Sequence, residues 1–386
     1  MSFDEFFSHL KARLYRKVYY NLFLKHYRKY KDAKLSDEEF FKQQHKRIFG
    51  YTPDFKNPQT FNEKMIHRIL YDRKPIYTAL ADKLKARIYI AMKLHNYSLA
   101  KALIGEGGGG NNSINNNLFS QVPQDLTQSK IFLEAYPSLL FQPLNSLKQL
   151  LFETNSCPFL PKIYAIYKNV DEIDFSVLPD SFVLKTNHDS GGVVIVPDKN
   201  EFLKDSKVFK KAMEKLTKHL KTNYYSRFRE YHYKDIEPWL FAEELLGRFK
   251  DNASKSSKNN FKQTLQSFEI PDDYKFHCFG KEIFVQVDKD RFTNHTRTIF
   301  NDKWEKMPFS YCYRNCLEEI PKPKHFEEMK EVARILSEDF AMIRIDMYHF
   351  RECFIIGELT FAPEAGKGIF TPREWDKKFG DLWKLR

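Results

Sequence analysis

The chain has 386 residues, of which 42% are hydrophobic, and its formal net charge is +12. With 36 Phe and 21 Tyr it can bury large apolar cores, so the composition excludes a disordered chain and predicts two or three compact units. No apolar run approaches the roughly 18 residues that a membrane span needs. The five scattered cysteines predict reduced thiols and a cytoplasmic protein.

The first 31 residues hold half of the net charge, because five lysines and three arginines there face only two acids. Apolar side chains recur among these cations at helical spacing (Phe3, Phe7, Leu10 and Leu14), which predicts a basic amphipathic helix. Such a helix suits peripheral contact with an anionic membrane face, and the alternative is a helix that packs on its own domain. We therefore expect residues 1–50 to form a helical arm. No nucleic-acid-binding motif accompanies it, so no nucleic-acid partner is expected.

Capping residues predict the helices that follow. Ser36 precedes three acids and opens a helix that ends at Gly50, and Thr60 with Glu63 forms a capping box for the next one. A third helix is expected from Tyr77 to His95.

Residues 97–157 differ from their surroundings because they contain runs of Gly at 107–110 and of Asn at 115–117. Such runs have little to bury, so we expect a helical insertion with a mobile tip. No Gly-Lys-Ser/Thr follows the glycines, which argues against a P-loop. Residues 250–264 are polar and charged and predict a disordered excursion.

Strand patterns return after Pro161. Apolar and aromatic runs predict strands at 162–167, 181–186, 193–196 and 239–246, and a hairpin at 273–279 and 282–288. Helices are expected at 205–221 and 326–339. Because hairpins rather than repeated βαβ units join the strands, the predicted fold class is α+β.

The last predicted hairpin, at 341–348 and 353–361, concentrates charge on one face. Since strand side chains alternate, Ile343 and Ile345 should point into a core while Arg344 and Asp346 point away from it. Glu358 of the second strand can share that surface. Paired carboxylates suit Mg²⁺, and the alternative is a solvated charged face.

Two further segments carry candidate ligand contacts. Lys185 ends an apolar strand directly before a glycine-containing turn, where an ammonium and free N–H groups can meet a phosphate. The alternative is a lysine that simply reaches water. In the strand predicted at 239–246, Glu243 and Glu244 interrupt apolar residues, and its backbone suits either the edge of an adenine or an amphipathic sheet edge.

Taken in chain order, these segments resemble the TupA-like ATP-grasp family, the branch named for teichuronopeptide biosynthesis. The resemblance rests on NPQTFNEKM, ALADKLKAR, LPDSFVLKTNHDSGG, AEELL, DYKFHCFGK, RIDMY and GELTFAPEAG, with WDKKFG after them. It covers nearly the whole chain from residue 51, apart from 97–157 and 250–264. It implies two α+β lobes that hold ATP between them. The implied division is 51–96 for the N-terminal part, 158–242 for the first lobe and 243–386 for the second.

The resemblance also implies roles for single residues. The positions that match the family's phosphate contacts are Lys83, Lys185, His188, Ser190, Gly191 and Gly192. Those expected to line the adenine are Glu243, Glu244 and Leu246. The cations expected near the phosphate or the substrate are Arg344, Lys275 and Arg291. The expected metal positions are Asp346, Glu358 and Thr360. Many ATP-grasp enzymes have Asn where Thr360 stands, so the number of metal ions is left open.

The implied activity is that of an ATP-dependent carboxylate–amine ligase with Mg²⁺, which forms an acyl phosphate and then an amide. Its expected partners are a carboxylic acid and an amine in surface polysaccharide biosynthesis. One alternative is a glycosyltransferase, because Asp288-Lys289-Asp290 follows an apolar strand as a D-x-D metal motif does. Another is a nucleotide-binding scaffold without turnover.

Overall fold

The structure is a computed structural model that describes residues 32–105, 138–250, 261–290, 294–350 and 353–385. The chain divides into two units, Met1–Asn57 and Pro58–Arg386, and each is described by itself. The predicted basic helix within residues 1–31 and the Gly/Asn runs lie outside the described residues. No helix in the described ranges is both long and apolar enough to cross a bilayer.

The helices are α1 Asp37–Phe49, α2 Phe61–Leu70, α3 Pro75–Ala81, α4 Lys83–Gly105, α5 Leu144–Glu153, α6 Lys199–Lys204, α7 Ser206–Leu220, α8 Tyr224–Phe228, α9 Phe261–Gln266, α10 Phe326–Ser337 and α11 Glu374–Leu382. The strands are β1 Ile163–Tyr167, β2 Phe182–Thr186, β3 Val193–Val196, β4 Leu240–Glu243, β5 Arg248–Phe249, β6 Phe268–Glu269, β7 Asp273–Phe279, β8 Glu282–Lys289, β9 Thr296–Phe300, β10 Ser310–Tyr311, β11 Ile343–Phe350, β12 Cys353–Thr360 and β13 Phe370–Thr371.

In the first unit, α1 has the two ends that its sequence predicts. Ser36 and Glu39 form a capping box, in which the Ser36 hydroxyl accepts the Glu39 N–H at 3.3 Å. Gly50 ends the helix with φ of +85°, a left-handed conformation that glycine adopts without a steric penalty.

In the second unit, two helices replace the single one expected from Tyr77 to His95. Asp82 separates α3 from α4 with an extended backbone, and its Oδ1 accepts the N–H of Leu84 at 2.9 Å. An aspartate in this position satisfies free N–H groups of the new helix, which is why the chain can restart there. Lys83 consequently becomes the first residue of α4.

The first large sheet is antiparallel, with four strands in the order β1-β4-β2-β3. One face packs on α6 and α7, and its buried side chains include Phe182, Leu184 and Leu240. Alternate positions place Lys185 and Glu243 on the opposite face. Strand β4 ends at Glu243, so it is shorter than the strand predicted to reach Leu246.

The second large sheet is also antiparallel, with five strands in the order β12-β11-β7-β8-β9. As predicted, Ile343 and Ile345 are fully buried on its apolar face, in the same core as residues of α10. The opposite face, called the polar face below, carries Asp273, Lys275, His277, Gln286, Asp288, Arg297, Arg344, Asp346, Glu358 and Thr360.

The disordered excursion predicted at 250–264 needs a correction. Helix α9 begins at Phe261, which is buried and packs against Phe202 with 5.3 Å between ring centroids. The prediction weighed only the polar composition, so it missed the one aromatic residue that anchors this segment to the first core. The residues before Phe261 down to 251 lie outside the described part of the chain.

Candidate functional site

A partly open cleft of about 430 Å³ lies between the first sheet, the N-terminal end of α4 and the edge strand β12. The charged side chains that line it are Lys83, Arg87, Lys185, Glu243 and Glu358. Four of these five are candidates from the sequence, and they come from four separate segments of the chain. The fold therefore brings together the two predicted phosphate lysines and one of the predicted metal ligands.

Lys83 ties the start of α4 to the turn at 187–192. Its backbone N–H donates to the carbonyl of Asn187 at 3.1 Å, and its ammonium donates to the carbonyl of Asp189. The lysine and the turn that were predicted to contact phosphate thus lie in direct contact, although they are about a hundred residues apart in sequence.

The turn at 187–192 is held closed by Asp189. Its buried carboxylate accepts a hydrogen bond from the Thr186 hydroxyl and pairs with Nδ1 of His219. Burial raises the pKa of Asp189, but these hydrogen bonds outweigh it and leave the pKa below its usual value. Gly192 fits only without a side chain, because a Cβ would lie 1.8 Å from the Thr186 hydroxyl.

The other predicted residues of this turn face different surroundings. Ser190 and Gly191 are exposed to solvent, and Gly191 has φ of +99°. His188 is buried, with Nε2 at 3.2 Å from the carbonyl of His219 and 3.3 Å from that of Thr222. The structure therefore places the His188 ring against the end of α7.

Glu243 joins two cations in the cleft. Its carboxylate accepts a hydrogen bond from Lys185, and Nη1 of Arg87 lies 3.9 Å from its second oxygen. Arg87 also donates to the carbonyl of Pro161 at 2.6 Å. Our sequence analysis missed Arg87, although its position four residues after Lys83 places both on one face of a helix. That spacing is the signal that could have identified it.

Glu244 and Leu246, predicted to line an adenine, follow the end of β4. The N–H of Glu244 donates to the carbonyl of Lys162 at 2.8 Å, so this backbone donor is already engaged. Its carboxylate accepts the Lys162 N–H at 3.2 Å. Neither Glu244 nor Leu246 is among the described residues that line the cleft.

Asp346 is the centre of a buried charge cluster on the polar face. Arg344 donates to both of its oxygens, at 2.7 and 2.9 Å, and Lys275 donates at 2.6 Å. Lys275 also binds Asp273 at 2.5 Å. Burial raises the pKa of Asp346, but Arg344 and then Lys275 outweigh it and hold the pKa well below the usual range. Both predicted cations are thus engaged with a predicted metal ligand, while Arg291 lies outside the described residues.

Glu358 is the cross-strand partner of Asp346, and Thr360 is that of Arg344. The Thr360 hydroxyl accepts a hydrogen bond from Arg344 at 3.2 Å. The described part of the chain contains no group of three or more His, Cys, Asp or Glu residues arranged as a metal site. Mg²⁺ usually needs only one or two protein carboxylates and completes its shell with water and phosphate oxygens. Asp346 and Glu358 fit that requirement in donor type and in strand register.

The D-x-D segment is arranged differently from a pair of open carboxylates. Asp288 is buried and accepts hydrogen bonds from Nε and Nη2 of Arg297, at 2.6 and 3.2 Å. Asp290 lies beyond the end of β8, is exposed and has φ of +52°. The two acids therefore lie in separate environments.

Glu230 is a second residue that the sequence analysis missed. It follows α8, is buried, and lies within electrostatic range of Lys367 and of the cleft residue Glu358. Burial, as the largest effect, raises its pKa to about 8. No spacing rule marks an acid in a loop as buried, so the sequence carried no signal for it.

Two antiparallel sheets with helices on their apolar faces, and a cleft lined by lysines and acids between them, define an α+β protein of the ATP-grasp class. The family described as TupA-like ATPgrasp matches residues 156–384. The chain belongs to this family, which confirms the resemblance found in the sequence. Among curated proteins no relative matches.

Two solved structures illustrate how far the likeness extends. A D-alanine–D-alanine ligase from Helicobacter pylori is 12% identical over 62% of this chain, with a TM-score of 0.30. The match spans 57% of that ligase chain. The ATP-grasp ligase PsnB, solved in complex with a minimal precursor, is 11% identical over 70% of this chain and 87% of its own, with a TM-score of 0.27.

Proposed function

We propose that the protein is an ATP-dependent carboxylate–amine ligase. The observation that carries this proposal is the convergence of Lys83 and Lys185 with Glu358 in one cleft, in a chain of the ATP-grasp family. Cations from two elements suit a polyphosphate, and an acid on the facing strand suits the metal that accompanies it.

ATP would bind with its phosphates between Lys83, Lys185 and the turn at 187–192. Arg87 adds a third cation to the same wall, so the charges of a triphosphate meet several positive groups rather than one. The adenine would lie toward the end of β4, near Glu243.

The acid substrate would attack the γ-phosphorus of ATP through a carboxylate oxygen, which forms an acyl phosphate and releases ADP. The amine then attacks the acyl carbon, and phosphate leaves as the amide bond forms. Both steps bring anions together, so they require fixed positive charge, which Arg344 and Lys275 supply at the polar face. Mg²⁺, when held by Asp346 and Glu358, would neutralise phosphate charge and polarise the reacting oxygens.

We further propose that the acid and the amine belong to surface polysaccharide biosynthesis. This part rests on the family to which the chain belongs and not on the geometry of the cleft. The proposed contact of residues 1–31 with a membrane would suit work on a lipid-linked polymer.

Nucleotide binding is the first test. Mg-ATP should raise the melting temperature, because a ligand that binds only the folded state stabilises it by RT ln(1 + [L]/Kd). Lys185→Met should abolish this shift, whereas Lys210→Met, a control on the exposed side of α7, should preserve it. A shift with UDP-sugar and Mn²⁺ that Asp288→Ala removes would favour the glycosyltransferase alternative.

Turnover is the second test. ADP release should depend on a carboxylic acid, and hydroxylamine should trap the acyl phosphate as a hydroxamate. Saturable ATP binding with no ADP release for any acid in a broad panel would support the scaffold alternative and contradict the ligase.

A further inference from the structure

A second pocket, of about 450 Å³, lies beside α2, the segment between α10 and β11, and the residues that follow α11. Its apolar lining consists of Ile76, Tyr77, Phe340, Ala341, Trp383 and Leu385. It shares no lining residue with the cleft described above. The volume falls in the range of small-molecule sites, which are mostly apolar with a few polar groups.

One wall of this pocket is the side chain of Arg68, which is 2% exposed. Nη1 donates to the carbonyls of Met342 at 2.9 Å and Phe361 at 3.0 Å. The rings of Tyr77 and Trp383 cover the guanidinium at 4.9 and 4.3 Å. Its Nε has no acceptor among the described residues, and none of their carboxylates forms an ion pair with it. A buried charge without a counter-ion is costly, so an anion in the adjoining space would stabilise it.

Trp383 provides a second donor in the same place. The residue is 1% exposed and lines the pocket, and its indole Nε1 has no acceptor among the described residues. The Tyr77 hydroxyl is already used, because it donates to Asp72 at 2.9 Å. Two buried groups that can only donate, at one pocket, call for a ligand that only accepts.

The charges of the pocket limit how negative this ligand can be. Asp72 and Asp339 also line it, and the cations near them are already paired, since Lys74 lies 3.5 Å from Asp72 and Lys93 lies 2.8 Å from Asp339. A ligand with two negative charges would be repelled by both acids, whereas a single charge can be neutralised by Arg68 alone.

We propose that this pocket binds a small monocarboxylate with an apolar body. Its carboxylate accepts hydrogen bonds from Nε of Arg68 and Nε1 of Trp383, and its body packs against Tyr77, Phe340 and Leu385. The site is separate from the nucleotide cleft and holds its ligand without reaction.

Titration with 3-phenylpropionate, followed by isothermal calorimetry on the full chain, tests the proposal. Saturable binding is expected, at least tenfold weaker binding is expected for the uncharged 3-phenylpropionamide, and none for inorganic phosphate. Equal affinity for the amide, binding of phosphate at this site, or no saturation in the millimolar range would overturn the proposal.

Three variants place the ligand. Trp383→Phe keeps the ring but removes the donor and should weaken binding roughly tenfold, whereas Trp375→Phe, on the same helix against Phe309, should leave it unchanged. Ala341→Leu fills the pocket without touching either donor and should block binding, which keeps the test valid if Trp383→Phe folds poorly. Lys185→Met should have no effect. Loss of binding in Lys185→Met, or competition by ATP, would place the carboxylate in the nucleotide cleft instead.

Discussion

Replacing Asp346 by Asn tests whether the charge cluster on the polar face is held together as the structure describes. Asn has nearly the shape of Asp but lacks its charge. In the native protein two acids, Asp273 and Asp346, balance two cations, Lys275 and Arg344, and all four are largely buried. The variant leaves one uncompensated positive charge in that place.

The cost can be judged from the geometry. Arg344 loses a bidentate pair at 2.7 and 2.9 Å, while Lys275 keeps Asp273 at 2.5 Å. Removing one member of a buried ion pair costs about 3–5 kcal/mol. At about 2 °C per kcal/mol for a long chain, the melting temperature should fall by roughly 6–10 °C.

Differential scanning fluorimetry without nucleotide measures this fall, and Asp381→Asn is the control. Asp381 pairs with Lys377 at 2.8 Å, but both side chains are more than half exposed, so about 1 kcal/mol or less is expected. The double variant Lys275→Met, Asp346→Asn restores neutrality and should be at least 1 kcal/mol more stable than the sum of the single changes predicts. Additive losses, or a loss for Asp346→Asn no larger than for Asp381→Asn, would refute the cluster.

Three more predictions concern the cleft and its supports. Gly192→Ala should lower stability by about 1–3 kcal/mol and abolish the ATP-induced melting shift, because the new Cβ would lie 1.8 Å from the Thr186 hydroxyl. Arg87→Met should weaken ATP binding in a titration while Glu243 remains paired with Lys185. Burial raises the folded pKa of Asp82 to about 6, above the ordinary 3.8, so its favourable contribution is complete below pH 4 and is lost as the pH rises toward 6. Asp82→Asn should therefore flatten the stability profile between those pH values and gain up to about 3 kcal/mol at pH 7, measured by urea unfolding.

The fold could be predicted where one segment carries its own pattern. Alternation placed Ile343 and Ile345 in the core and Arg344 and Asp346 on the other face, and the structure agrees. The ends of α1 followed from its caps. The break at Asp82 could not be foreseen in the same way, because an aspartate after Leu80-Ala81 is compatible with a continuing helix.

The candidate site could be predicted only as a set of residue types. Sequence patterns and the family resemblance supplied Lys83, Lys185 and Glu358, and the structure brings them to one cleft. What could not be foreseen is how each is paired. Lys83 donates to a backbone carbonyl and Asp346 is enclosed by two cations, and such pairings depend on distances between strands that no local pattern encodes. The roles of all these residues remain predictions until the variants are measured.

These pairings bear on how ATP would bind. Lys83 and Lys185 are each hydrogen-bonded to protein oxygens, whereas Glu358 has no hydrogen bond or ion pair within the described residues. A triphosphate must therefore compete with the carbonyl of Asp189 and the carboxylate of Glu243 for the two ammonium groups. Because a phosphate oxygen is the stronger acceptor for a lysine than a neutral carbonyl, Lys83 should move to the nucleotide more readily than Lys185 leaves its ion pair. Lys83→Met should then weaken ATP binding with little loss of stability, while Lys185→Met should reduce both, because it leaves Glu243 with the more distant Arg87 alone.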